Sequence, residues 1–240
     1  MSTARNPQVA TPNLNVLDMT LRACAVASAA AEAAAAFVRP ASDQSLLGEI
    51  RQREEELDAV DREINEAVTE AVGHSNGENA RELLACLKLI IELERIGDLL
   101  LSFANRVRSC TARLEEQDRR DLVNMANILH HMLQDAAEAF ERRDPKLSVQ
   151  VLRADSELDR LRNLVFVRHI ENPGCQAHSE SFHVVFMAQM LERCGDHAKN
   201  MAEEVVHLAT GRSMRHLLRT LDKPLENMFV EWMRRRNEVR

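Results

Sequence analysis

Apolar residues return along this chain every three to four positions, the period of an amphipathic helix, in six long runs. The first runs from about Leu14 to Val38 and stops ahead of Pro40. Asp43 is placed to cap a second, from about Gln44 to Val72, which ends at the turn 73–77, and a third covers about Glu78 to Arg108. Asp118 opens a fourth to about Arg143, and Pro145 starts a fifth to about Ile170. The Asn172-Pro173-Gly174 turn leads to a sixth, from about His178 to Thr210, closed by Gly211. Residues 1–13 predict an aperiodic arm, and residues 213–240 a tail with a short amphipathic helix from about Lys223 to Arg236. Long helices joined by short turns predict an all-α helical bundle.

Two of the helices carry a deeper pattern. In the third, Leu89, Leu93, Ile96, Leu100, Phe103 and Val107 form a stripe that must face a partner helix. The sixth repeats it as Met187, Leu191, Cys194, Ala198, Met201 and Val205. The correspondence extends to identity: Leu93-Glu94-Arg95-Ile96-Gly97-Asp98 recurs as Leu191-Glu192-Arg193-Cys194-Gly195-Asp196, five matches in six. Upstream, Glu54 and Asp58 are answered by Asp155 and Asp159, and EAAAAF at 32–37 by DAAEAF at 135–140. Three matches in the same order describe a duplicated three-helix unit, residues 14–112 and 118–212.

Composition agrees with helices and narrows the function. Tyr is absent, and only 7 Gly and 6 Pro occur in 240 residues, which excludes an all-β domain. A formal net charge of −7 removes the basic footprint that a nucleic-acid binder needs. Five cysteines without a C-x-x-C pair predict reduced, buried thiols and a cytoplasmic protein. The Ala-rich stretch from Ala23 to Val38 contains Glu32 and falls short of the roughly 20 apolar residues of a membrane span.

The candidate chemistry lies in carboxylates spaced i,i+4, which stack on one helix face and repel. The pairs are Glu54/Asp58 with Glu94/Asp98 in the first repeat, and Asp155/Asp159 with Glu192/Asp196 in the second. On the third helix the pair shares its side with Leu87, Ile91 and Leu101, so it does not sit on an ordinary charged exterior. Hard cations satisfy such clusters, and two helices supply oxygens enough for a small multi-metal site, which Asn200 and Glu203 extend along the sixth helix. Arg95 and Arg193 offer the competing account, neutralisation by salt bridges. Gly97 and Gly195 sit inside helices at a cost of about 1 kcal/mol each, either for close helix packing or for access to the adjoining acids.

LERIGD at 93–98, LERCGD at 191–196 and DHAKNMAEEVVHLATGR at 196–212 resemble the PhoU family of bacterial phosphate-transport regulators over nearly the whole chain. The resemblance implies two pseudo-symmetric three-helix bundles, like spectrin repeats. It implies multinuclear clusters of iron, zinc, manganese or magnesium on the acidic motifs, and no catalysis. It also implies a cytoplasmic homodimer that links the phosphate ABC transporter ATPase to a sensor histidine kinase, represses phosphate-starvation genes and meets the membrane only through partners. Asp61 continues the acidic pattern in the first repeat where the second has Arg162, and Ser102 and Leu99 stand where the second has Asn200 and His197.

Two other readings compete. A metal-free helical adaptor would use the acidic faces to bind a basic partner. A carboxylate-bridged metal enzyme would need Glu-x-x-His motifs on two helices, yet Glu180/His183 and Glu204/His207 share one, some 36 Å apart at about 1.5 Å per residue. His130 and His131 point to different faces, and no Ser/His/Asp arrangement stands out from the spacing. Trp232 beside the basic run 234–236 reads as a solvated amphipathic tail that caps the bundle, with contact to anionic lipid as the alternative.

Overall fold

The structure is a computed structural model that describes residues 12–110, 113–171 and 179–210. It contains six long helices: α1 Pro12–Val38, α2 Ser45–Val72, α3 Gly77–Cys110, α4 Glu116–Arg142, α5 Pro145–Phe166 and α6 Ser179–Thr210. A π-helical turn, Val167–Glu171, extends α5, and no strand occurs among the described residues. The predicted arm before Pro12, the Gly211 stop, Cys175 and the C-terminal amphipathic segment with Trp232 lie outside the described residues.

Local chemistry sets the helix ends. Asp43 Oδ1 accepts the Ser45 amide at 2.9 Å, so it satisfies a first-turn donor of α2 and its carboxyl is held below its ordinary value. Asp144 Oδ1 accepts the Lys146 amide at 2.9 Å, with Pro145 in the first turn of α5. Arg143 closes α4 in the left-handed region at φ 51°, where its amide bonds back into the last turn. Asp118 departs from its expected role: α4 begins at Glu116, and Asp118 is buried in the first turn.

Within the first repeat α1, α2 and α3 pack on one another, as do α4, α5 and α6 in the second. The repeats then join through equivalent helices, α1 against α4 and α3 against α6. Every residue of the two predicted stripes is fully buried, and the apolar interior runs without interruption through both repeats. Helices α2 and α5 lie on the outside of this seam.

Helix α1 occupies its central place because its side chains are small. Ala23, Ala27, Ala31 and Ala34 are fully buried and let α2, α3 and α4 approach closely. Arg119 Nη1 donates to the Val38 carbonyl at 2.7 Å, and His130 Nδ1 donates to the Ser28 carbonyl at 2.9 Å, tying α4 to α1. The apolar stretch Asn15–Val38 has 24 residues, longer than the sequence pattern indicated, and passes for a membrane span by length and composition. Its buried alanines show the packing of a core helix.

Candidate functional site

The first repeat's carboxylates come together where α2 crosses α3, and Gly97 makes the crossing close. A methyl group there would meet Leu57 Cδ1 at 2.8 Å and lie 3.7 Å from the Cα of Glu54. Gly195 plays the same part between α6 and α5, where a methyl would meet Leu158 Cδ1 at 2.5 Å and lie 3.8 Å from Asp155 Oδ1. Close packing explains both glycines, and that packing places the acidic pairs of neighbouring helices face to face.

On the first face Glu54, Asp58, Asp61 and Glu94 are half-buried and Asp98 is exposed. Burial pushes the Glu54 carboxyl up, and the charges of Asp58 and Asp98 push it further. Burial likewise raises Glu94, with Asp98, Asp58 and Asp61 acting in the same direction against Arg95. The cross-helix influence shows that the five form one electrostatic group. Arg95 leans on its rim, 3.4 Å from Glu94 and largely in solvent.

A pH response follows. A carboxyl whose folded pKa is raised adds stability below its unfolded value and loses it as pH climbs through the folded value. Metal-free protein is expected to gain stability between about pH 7 and about pH 5, and E54Q/E94Q to gain less. Urea midpoints at the two pH values check this; equal gains in variant and parent would reject it.

The second face is built differently. Asp155 and Glu192 are buried, Asp159 is half-buried and Asp196 is exposed. Lys199 Nζ donates to Asp155 Oδ2 at 2.6 Å. Arg162 Nη2 donates to Glu192 Oε1 at 3.2 Å, while Gln189 Nε2 donates to Oε2 at 2.5 Å. Burial raises Asp155, Asp159 and Glu192 even so. It pulls Lys199 down, but the Asp155 hydrogen bond and the charges of Asp155, Asp196 and Asp159 outweigh it and hold the ammonium above its ordinary value. Neutralisation, which the sequence pattern assigned to Arg95 and Arg193, falls here to Lys199 and Arg162; Arg193 is exposed.

Asn200 goes elsewhere. Its Nδ2 donates to Glu92 Oε2 at 3.2 Å across the α3–α6 seam, where His197 Nδ1 also approaches Glu92, at 2.5 Å. Glu203 is half-buried one turn further along α6. Among the described residues no three His, Cys, Asp or Glu side chains converge on a point that could hold one ion. Cys24, Cys86, Cys110 and Cys194 are buried thiols outside any disulfide; burial raises Cys24 to about 12 and Cys86 to about 11.

A Ser/His/Asp arrangement does exist, contrary to the sequence expectation. His169 Nε2 donates to Asp118 Oδ1 at 2.8 Å, and the Ser181 hydroxyl lies 3.2 Å from Nδ1. Arg168 Nη1 reaches the same Oδ1 at 3.1 Å and its other nitrogen pairs with Asp121. Ser181, His169 and Asp118 are all buried, so the hydroxyl has no open approach to a substrate. The cluster ties α4, the π turn and α6 together. Sequence spacing had no means of finding it, because its members come from three separate elements.

Residues 23–107 and 122–205 each match the family model described as the PhoU domain, one match per repeat. A Pseudomonas aeruginosa protein named phosphate-specific transport system accessory protein PhoU homolog is 29% identical over 195 residues, 78% of this chain and 79% of its own. A Zymomonas mobilis relative of the same name is 30% identical over 179 residues, 72% of this chain and 75% of its own. The fold matches the crystal structure of PhoU from Pseudomonas aeruginosa with a TM-score of 0.75 at 24% identity, over 84% of this chain and 98% of that one. The Streptococcus pneumoniae PhoU structure matches at 0.61 with 18% identity, over 85% and 99%.

Proposed function

The chain belongs to the PhoU family, and from that membership we propose that it is a non-enzymatic regulator of phosphate-specific transport. It works in the cytoplasm as a homodimer. Contacts with the transporter ATPase and with a sensor histidine kinase restrain phosphate uptake and hold phosphate-starvation genes off when phosphate is plentiful. The observation that carries this is the double match, one PhoU domain on each three-helix repeat, joined to relatives named as accessory proteins of the transport system over most of both chains.

The first repeat suits a hard cation by the chemistry of its donors. Glu54, Asp58, Asp61, Glu94 and Asp98 offer carboxylate oxygens from two helices, and Glu54 and Glu94 are held against ionisation by burial and by their neighbours. An ion there supplies positive charge that relieves the repulsion and clamps α2 to α3. Because the donors do not converge as placed, binding requires their side chains to turn inward.

Deleting the gene is expected to raise phosphate-starvation transcripts in phosphate-rich medium, and the intact gene to restore repression. Unchanged transcripts would count against the regulatory role. Restoration of full repression by E54Q/D58N/E94Q/D98N would instead favour the metal-free adaptor.

A further inference from the structure

We infer that the second repeat closes its carboxylate face with cations of its own, Lys199 and Arg162, and that metal loads on the first repeat alone. The inference rests on the cation-binding reading of the first face and deepens it. The duplication supplies an internal comparison: where the second repeat has Lys199 and Arg162, the first has Leu101 and Asp61. One repeat therefore holds five carboxylates with two exposed arginines, Arg51 and Arg95, at its edge, and the other four carboxylates with two part-covered cations inside the cluster.

The geometry of the second face is that of an occupied position. Lys199 Nζ is 2.6 Å from an oxygen of a carboxylate whose side chain is 6% exposed, and the lysine itself is two-thirds covered. The charges of Asp196 and Asp159 act on the same ammonium. Both Glu192 oxygens already accept hydrogen bonds, from Arg162 and Gln189. An incoming metal would have to displace a charge-assisted hydrogen bond at Asp155 and another at Glu192, and leave two cations beside it. On the first face the corresponding positions carry an apolar side chain and a further acid, and the nearby arginines stay exposed at the edge, so no part-covered cation has to be displaced.

Stripping the full chain and reloading it with Mn2+ tests this, with bound manganese counted by elemental analysis and folding followed by circular dichroism. E192Q/D196N, which keeps side-chain shape, is expected to retain the parent's Mn2+ content, whereas E94Q/D98N loses most of it. R162D/K199L gives the second repeat the residues of the first and is expected to raise bound Mn2+ about twofold. K199M, the milder change, is expected to lower the thermal midpoint without metal and to recover it with Mn2+. Loss of Mn2+ in E192Q/D196N comparable to that in E94Q/D98N overturns the inference, as does a folded R162D/K199L or K199M that takes up no extra metal. A parent that binds no Mn2+ beside an R162D/K199L that binds it would reject the metal reading of the first face while supporting the closed second face.

Discussion

Replacing Asp118 with Ala is expected to destabilise the protein by about 3 kcal/mol, because it strips the shared partner from two cationic or polar groups at once. Asp118 Oδ1 receives both Arg168 and His169, and the carboxylate is almost completely buried. Without it, His169 keeps only the Ser181 hydroxyl in an interior site, and Arg168 keeps Asp121. Removing one member of a buried ionic cluster leaves the others desolvated and unpaired, at about 3–5 kcal/mol; the partial exposure of Arg168 places this case at the lower end. D118N, which retains an acceptor oxygen, should cost less. Urea unfolding monitored by circular dichroism measures both. A loss under about 1 kcal/mol in D118A, the value of one ordinary hydrogen bond, would show that the cluster is not a structural node.

Phe103→Ala should cost about 3–5 kcal/mol, the range for removing a phenyl ring from a rigid interior. Phe103 is fully buried on α3, in the stripe that faces α6, and ranks among the largest side chains with no exposure at all. The loss combines transfer of the ring to water with a cavity that the surrounding helices only partly fill. F103L, which keeps most of the volume, should cost about 1.5 kcal/mol or less. Urea midpoints at unchanged m-value check the pair, since an altered m would signal a changed unfolded state rather than a lost contact. Equal losses in F103A and F103L would mean that ring shape rather than volume matters at the seam.

The stripes on α3 and α6 were legible because burial along a helix repeats at a fixed period, and each residue named from that period is buried. The facing of Glu54/Asp58 toward Glu94/Asp98 was legible too, since the repeat fixed which helices had to be neighbours. Lys199 was not, and Arg162 was legible only as a break in the acidic pattern, not as a partner of Glu192. Each reaches an acid on another helix, and the register between two helices is set by how side chains such as Leu158 fit against Gly195, which periodicity does not contain. Asn200 was misplaced for a related reason: it shares a helix with Asp196 but reaches across the other seam to Glu92. His169 escaped notice because the last turn of α5 widens to π geometry, which turns two successive residues onto Asp118.

The seam between the repeats joins α1 to α4 and α3 to α6, each helix to its own counterpart. Such self-complementary contact is the mark of a two-fold homodimer, here with both subunits written into one chain. A gene of half this length would leave Leu89, Leu93, Ile96 and Leu100 facing water and would have to find a second copy to cover them. Joining the halves in one chain makes that encounter intramolecular, independent of protein concentration. It also frees the halves from having to be identical. A true homodimer would place Lys199 and Arg162 in both subunits or in neither; a fused pair can carry them on one side only.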